Sequence, residues 1–320
     1  MNRPYNRCRK LRRLGNQRKA SIVAIVSHMR NRVSGTQAKH VIQTLPDGSV
    51  LVDYGPMHMV IRAYAGEVPR VDWATEGARL AMRLLEDQAR FLPLIKKKAQ
   101  SLEIQPEYPD VIRRMIDAAQ KMVESDLTPL AAVAGAASDV VADFLVSRGG
   151  TKVIVDNGGD IAIRLREGEI VRVGVKTDIH AKNPAYVIPI DAGSGVGGVA
   201  TSGFGGRSFT KGIASAATVL SANASLADTA ATVVGNHTNV DDPEIIRSRA
   251  EAIYPDTDIP VEWVTTRVGN LPVEKVEEAL QNGLRKARAL VERGLIKGAL
   301  IAVKQKVGWT SYLDSRIHAL

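Results

Sequence analysis

Asp191-Ala-Gly-Ser-Gly-Val-Gly-Gly-Val-Ala-Thr-Ser-Gly-Phe-Gly-Gly-Arg207 holds seven glycines in seventeen positions, and its reading decides the fold. Gly193, Gly195 and Gly198 satisfy the spacing G-x-G-x-x-G, and the run Tyr186-Val-Ile-Pro-Ile190 before them reads as a strand. In a dinucleotide-binding βαβ unit those glycines must open a helix. Here Val199-Ala-Thr-Ser-Gly203 and a further glycine cluster follow, which is no helical sequence. A doubly wound parallel sheet is therefore rejected. What remains is a long glycine-rich loop with hydroxyls at Thr201 and Ser202 and a cation at Arg207. Backbone donors, hydroxyls and a guanidinium suit phosphate oxygens. A surface loop without a ligand is the competing reading.

The neighbouring segments agree with an antiparallel sheet. Upstream, His40-Val-Ile-Gln-Thr-Leu45 and Ser49-Val-Leu-Val-Asp-Tyr54 flank Pro46-Asp-Gly48, a strand–turn–strand pattern. Met57 to Ala65 alternates, with Met57, Met59, Ile61 and Ala63 on one face. Lys152–Asp156, Ile161–Leu165, Ile170–Val175, Tyr186–Ile190, Ala214–Leu220 and Ala299–Val303 read as further strands. Helices are expected over Trp73–Lys98, broken at Pro93, over Pro109–Glu124, over 130–147, over Ser225–Val234 and over Val273–Arg293. Thr128 is placed to cap, with Pro129 at the first helical position. The helix over 130–147 is so rich in Ala and Gly that another backbone or a ligand must come close to it. Strands, helices, strands and a helix in that order predict an α+β fold with largely antiparallel sheets.

Two further segments carry chemistry. Val155-Asp-Asn-Gly-Gly-Asp-Ile161 turns between two strands and leaves Asp160 at the turn edge. Gly158 and Gly159 can expose backbone amides to an anion, although a plain hairpin turn would look the same. In Ser225-Leu-Ala-Asp-Thr-Ala-Ala-Thr232, Asp228 and Thr232 stand four apart on one helix face. A carboxylate and a hydroxyl there form part of an oxygen shell for Mg2+. An acid in the first turn of a helix, favoured by the helix dipole, is the alternative.

Composition narrows the class. Hydrophobic residues make up 45% of 320 and aromatic ones 4%, so the core is aliphatic. One cysteine, Cys8, excludes an internal disulfide and a cysteine-rich metal site. The net charge of +9 is concentrated: eleven of the 43 Lys and Arg lie in residues 1–46, before the first acid, Asp47, and the remainder has a net charge of −2. That gives a basic, flexible N-terminal arm over residues 1–35 and a single domain over 36–320. The arm is read as a solvated extension; contact with an anionic surface is the other reading, and no nucleic-acid motif supports a nucleic-acid partner. No apolar run is read as a membrane span or a signal segment, and the protein is expected in the cytoplasm.

Taken in order, Gly-Gly-Asp160, Ala200-Thr-Ser-Gly203 and Ala227-Asp-x-x-x-Thr232 resemble the ApbE-like superfamily, the fold of FAD:protein FMN transferases, with its T-fold-like architecture. The likeness covers roughly residues 125–240, and Ala134-Gly135 loosely resembles the family's Ala-Lys-Gly helix start. Gly206-Arg-Ser-Phe209 and Ala227-Asp-Thr-Ala-Ala-Thr-Val-Val-Gly-Asn236 are similar to the superfamily's shorter branch. The resemblance implies a flavin nucleotide, FAD or FMN, held by Asn157, Gly158, Gly159, Asp160, Ala200, Thr201, Ser202, Gly203 and Arg207. It implies Mg2+ on Asp228, Thr232 and a carbonyl near Val133 or Ala134. It implies FMN transfer to a protein threonine, or FAD cleavage, with Asp228 taking part. His237, directly after the metal motif, is a second catalytic candidate, ahead of His180. The transferases carry His-x-x-Asp-Pro-x-Thr-Gly where this chain has Thr210-Lys-Gly-Ile-Ala-Ser-Ala-Ala217. A non-catalytic flavin-binding protein, and an enzyme for another anionic small molecule on the same scaffold, therefore stay open beside the transferase reading. Self-association is left open too.

Overall fold

Alternating burial builds the sheet. In β3 (Met57–Ala65), Met57, Met59, Ile61 and Ala63 are buried, and the strand pairs with β2 (Val50–Tyr54) on one side and β5 (Lys152–Asn157) on the other. A slip of one residue would turn that apolar set to the opposite face. The computed structural model describes residues 40–178 and 181–320. The expected basic arm, Cys8 and His180 lie outside these residues.

The main sheet has ten strands. Its order is β1 (His40–Thr44), β2, β3, β5, β6 (Asp160–Leu165), β9 (Gly198–Ser202), β10 (Ala216–Ser221), β13 (Gly298–Val303) and β14 (Lys306–Trp309), with β4 (Val68–Pro69) attached to β3. Every pairing is antiparallel. Gly48 closes the first hairpin at φ +77°, a conformation an L side chain rarely adopts. β10 and β13 are buried along their whole length, because both faces of the sheet are covered there.

One face carries the helices. α1 (Val71–Arg90) packs on β2 and β3, α4 (Val133–Ser147) on β5 and β6, α5 (Ala224–His237) on β9 and β10, and α7 (Val273–Glu292) on β13 and β14. Pro93 sits in the first turn of a separate short helix, α2 (Leu92–Ile95), so the break expected there is real. α3 (Asp110–Met122) buries Val111, Ile112, Met115, Ile116 and Met122 against α4 and α5. The other face carries a three-stranded sheet, β7 (Ile170–Val175), β8 (Tyr186–Asp191) and β15 (His318–Ala319). Between the sheets Ile163, Val199, Leu220 and Leu300 meet Val173, Ile188 and Ile190. The architecture is α+β and antiparallel, as the sequence order predicts.

Three expectations need correcting. The seven-glycine segment is not one continuous loop, because its middle, Gly198–Ser202, is strand β9 inside the main sheet. Its Gly198 is glycine because a Cβ would lie 2.2 Å from the Asn223 carbonyl carbon, at the entrance to α5. Thr128 does not cap with its side chain; its hydroxyl bonds Asp258 across 130 positions of sequence, and Pro129–Ala132 is a single 3-10 turn. Finally, Pro129–Ser147 does reach the length and apolarity of a membrane span. Half of that stretch is buried inside the fold, between other helices and the sheet, which is the setting of a core helix. The hairpin of β11 (Ile245–Arg249) and β12 (Trp263–Val268), the short helix α6 (Ala250–Ile253) and the edge strand β14 carry weak patterns and were not anticipated.

Candidate functional site

Two helix starts cross, and the crossing builds the site. A Cβ on Gly135 would sit 2.3 Å from the Ala224 carbonyl oxygen and 2.8 Å from the Asp228 Cβ, so only glycine lets α4 and α5 meet. Each helix then caps the other. Asp139 of α4 is fully buried and accepts from the amides of Ala224 (3.0 Å) and Ser225 (2.8 Å) and from the Ser225 hydroxyl (2.6 Å), all at the start of α5. Asp228 of α5 accepts from the Gly135 amide at 2.9 Å and from that of Ala134, at the start of α4. Carboxylates at helix N-termini satisfy amides that have no partner within the helix. Arg164 of β6 binds Asp139 at 3.0 Å and Asp143 at 2.8 Å, so the Asp139 charge is balanced. Asn223 adds a side-chain cap to the Leu226 amide at 2.9 Å.

The sheet supplies the opposite wall. Side chains alternate along a strand, and Ala162 and Val155 belong to the helix-side core. Asp160 and Asn157, two residues away on β6 and β5, therefore face the helices. Asn157 reaches the Ala134 carbonyl at 3.5 Å, and the Ser138 hydroxyl bridges the carbonyls of Ala134 (3.1 Å) and Asp160 (2.9 Å). The Asp160 carboxylate accepts the Thr201 amide. At the β5–β6 turn the Gly159 amide donates to Asp156 at 2.8 Å. The Arg207 guanidinium lies over Gly158, where a Cβ would be 1.9 Å from its Nη2, and its Nη1 donates to the Pro56 carbonyl at 3.2 Å.

Electrostatics mark this point out. Burial pushes Asp228 from 3.8 up to about 7; the Gly135 and Ala134 amides and Arg207 oppose the rise, and Asp139 adds to it. Asp160 also stands well above the ordinary carboxylate range, through burial first and then the Asp228 charge, with Arg207 opposing. Both side chains nevertheless keep part of their surface exposed to solvent. Two acids set deep, repelling one another and still reached by water, form a site in which the carboxylates hold their protons unless a cation comes to them.

The expected residues divide accordingly. Asn157, Gly158, Asp160, Arg207 and Asp228 converge. Thr232 lies one turn beyond Asp228 on the same face, and among the described residues its hydroxyl has no hydrogen-bonding partner. Gly159 is turned to Asp156. Ala200 is a fully buried core residue. Thr201 and Ser202 are neighbours on a strand, so their hydroxyls point to opposite faces and cannot cradle one phosphate together. Ser202 lies near Gly235 on the helix side, whereas Thr201 pairs with the Thr218 hydroxyl at 2.8 Å. Gly203 is pressed against the Ser215 carbonyl, 2.8 Å from a would-be Cβ. The Ala134 carbonyl points away from Asp228, since the amide of the same peptide faces that carboxylate. His237 is nine residues past Asp228, about 13 Å along the axis and half a turn around it. Its Nδ1 meets the Val233 carbonyl at 2.9 Å. It is no partner of Asp228.

Sequence reasoning gave no role to Asp139, Arg164 or Asn236, although Asn236 closes the motif quoted from Ala227. Asn236 accepts the Lys211 amide at 2.9 Å and the Thr210 hydroxyl at 3.3 Å, fastening the segment after β9 to α5. An Asp inside an apolar helix was the available signal for Asp139. Among the described residues no three His, Cys, Asp or Glu cluster as metal ligands. A cation here would rest on two carboxylates and a hydroxyl.

Known proteins match this frame. The family described as AbpE bacteria matches residues 42–310, nearly the whole described chain. The chain belongs to that family. A UPF0280 protein of Methanosarcina barkeri is 32% identical over 181 residues, 57% of this chain and 70% of the relative. A UPF0280 protein of Methanopyrus kandleri is 41% identical over 143 residues, 44% of this chain and 55% of the relative. Among solved structures, the flavin transferase ApbE from Vibrio cholerae is 15% identical over 88% of this chain and 100% of that chain, with a TM-score of 0.46. The Pseudomonas stutzeri flavinyl transferase ApbE, in its apo form, is 16% identical over 88% and 98%, with a TM-score of 0.44. Likeness at that level carries nothing about chemistry. The AbpE assignment and the UPF0280 relatives agree with the ApbE-like resemblance.

Proposed function

We propose that this protein binds a flavin nucleotide at the Asp160–Asp228 cleft together with Mg2+, and acts on the FAD pyrophosphate by cleaving it or transferring FMN to a protein acceptor. The supporting observation is the pair of raised carboxylates beneath Arg207. Two mutually repelling carboxyls beside a guanidinium suit a divalent cation and a diphosphate arriving together, the cation replacing the carboxyl protons and the guanidinium meeting the phosphates. Asp228 and Thr232 would hold the cation from α5, with Asp160 across from them. Bound there, Mg2+ would stabilise charge developing on the phosphoanhydride.

The chain's own groups have separate tasks in this reading. Arg207, resting on Gly158, orients the phosphates. Asp139 and Arg164 hold the start of α5, and hence Asp228, in place. Gly135 keeps α4 close enough for its amides to reach the same carboxylate. Incubation of the purified protein with FAD and Mg2+, with FMN and AMP followed by chromatography, tests the activity; neither product and no flavinylated partner would contradict it.

A second reading is favoured by a specific observation. Where the transferases carry their histidine stretch, this chain places Thr210, buried, and Lys211, ion-paired with Asp126. His237 does not compensate. A flavin-binding protein without turnover fits those facts, and thermal stabilisation by FAD with no product would identify it.

A further inference from the structure

A second cleft, of about 760 Å3, opens at the C-terminal end of α5, more than two turns beyond Asp228. That volume is in the range of small-molecule sites. None of the converging residues of the acidic cleft lines it.

Its charges do not cancel. Four Lys and Arg face three acids. Lys211 pairs with Asp126 and lies 3.7 Å from Glu262, and Lys286 pairs with Glu124. Both guanidiniums are left without a carboxylate of the cleft. Arg285 donates to the Asn282 side chain. Arg247 donates to Asn239 and to the Val240 carbonyl at 2.8 Å; among the described residues the one acid it meets is solvent-exposed Asp241 at 4.0 Å, and its buried Nε has no partner there. Beside them Trp263 stands 54% exposed, with the Arg249 guanidinium 5.3 Å from its ring. A large exposed indole in a polar wall is a stacking platform.

We propose that this cleft binds a phosphate monoester carrying a planar ring, with the dianion on Arg247 and Arg285 and the ring on Trp263. A monoester phosphate carries close to two charges at neutral pH, matching two guanidiniums whose forks suit its oxygens. The inference is independent of what the acidic cleft does.

Calorimetric titration of the full chain with phenyl phosphate, inorganic phosphate and phenol tests it. Phenyl phosphate should bind more tightly than either half. Arg285→Ala, at an exposed position on α7, should keep the wild-type melting temperature and weaken that binding about tenfold, the scale of one lost charge-assisted contact. Trp263→Ala should erase the advantage over inorganic phosphate. Asp228→Asn should leave binding unchanged. Equal binding of the three probes, wild-type affinity in Arg285→Ala, or loss of binding in Asp228→Asn would each overturn the proposal.

Discussion

Replacing Asp228 with asparagine separates two roles that look alike in the fold. The amide oxygen can still accept from Gly135, so the cap on α4 survives; only the charge is removed. A carboxyl raised from 3.8 to about 7 binds its proton more tightly in the native state than in the unfolded chain. Its favourable contribution is therefore fully present below about pH 4 and is lost as pH rises through about 7. A shift of that size corresponds to at most about 4 kcal/mol at alkaline pH. Solvent contact reduces this, and about 1–3 kcal/mol is expected. Without divalent cations at pH 8, Asp228→Asn should be more stable than the wild type by that amount, a rise of several degrees in Tm. Its stability should also fall less than that of the wild type between pH 4 and 7. Adding Mg2+ should stabilise the wild type and leave the variant unmoved. Urea unfolding at pH 5 and pH 8, with and without Mg2+, measures all of this. A variant destabilised equally at both pH values would refute the reasoning and leave Asp228 an ordinary helix cap.

Other substitutions probe the same frame. Gly135→Ala forces a methyl into the Ala224 carbonyl and should cost about 1–3 kcal/mol in denaturant unfolding, or prevent folding. Asp139→Ala leaves Arg164 short of a buried partner and the α5 amides bare; a loss of about 3–5 kcal/mol is expected by the same measurement. His237→Ala should leave FAD affinity within about twofold of wild type in a fluorescence titration, because the side chain lies half a turn from Asp228.

Much of the fold was legible in the sequence because its signals are local. The Asp47-Gly48 turn and the alternation of Met57–Ala63 fix the first hairpins. The Leu84–Leu85 stripe and Pro93 fix the first helices. The site was half legible for the same reason. Asp228 and Thr232 share a helix face by spacing alone, and a Gly-Gly-Asp turn announces itself. Ala200 to Gly203 misled because tertiary packing demands glycine as strongly as a phosphate does. Gly198 and Gly203 are small to admit the α5 entrance and the Ser215 carbonyl, and the strand between them turns its two hydroxyls apart. His237 misled because adjacency to a motif in sequence places a side chain about 100° further round the helix with each residue. The partnership of Asp139 and Arg164 was hidden because it spans β6, α4 and α5, which no sequence period connects; only the lone Asp in an apolar helix pointed to it.

The central claim is that Asp228, Thr232 and Asp160 hold a divalent cation against a flavin pyrophosphate. Crystals grown with FAD and Mn2+ in place of Mg2+, examined at the manganese edge, test it most directly. The account predicts an anomalous peak within bonding distance of the Asp228 carboxylate and the Thr232 hydroxyl, with phosphate density between that peak and Arg207. Flavin bound elsewhere, with no manganese at Asp228, would contradict it.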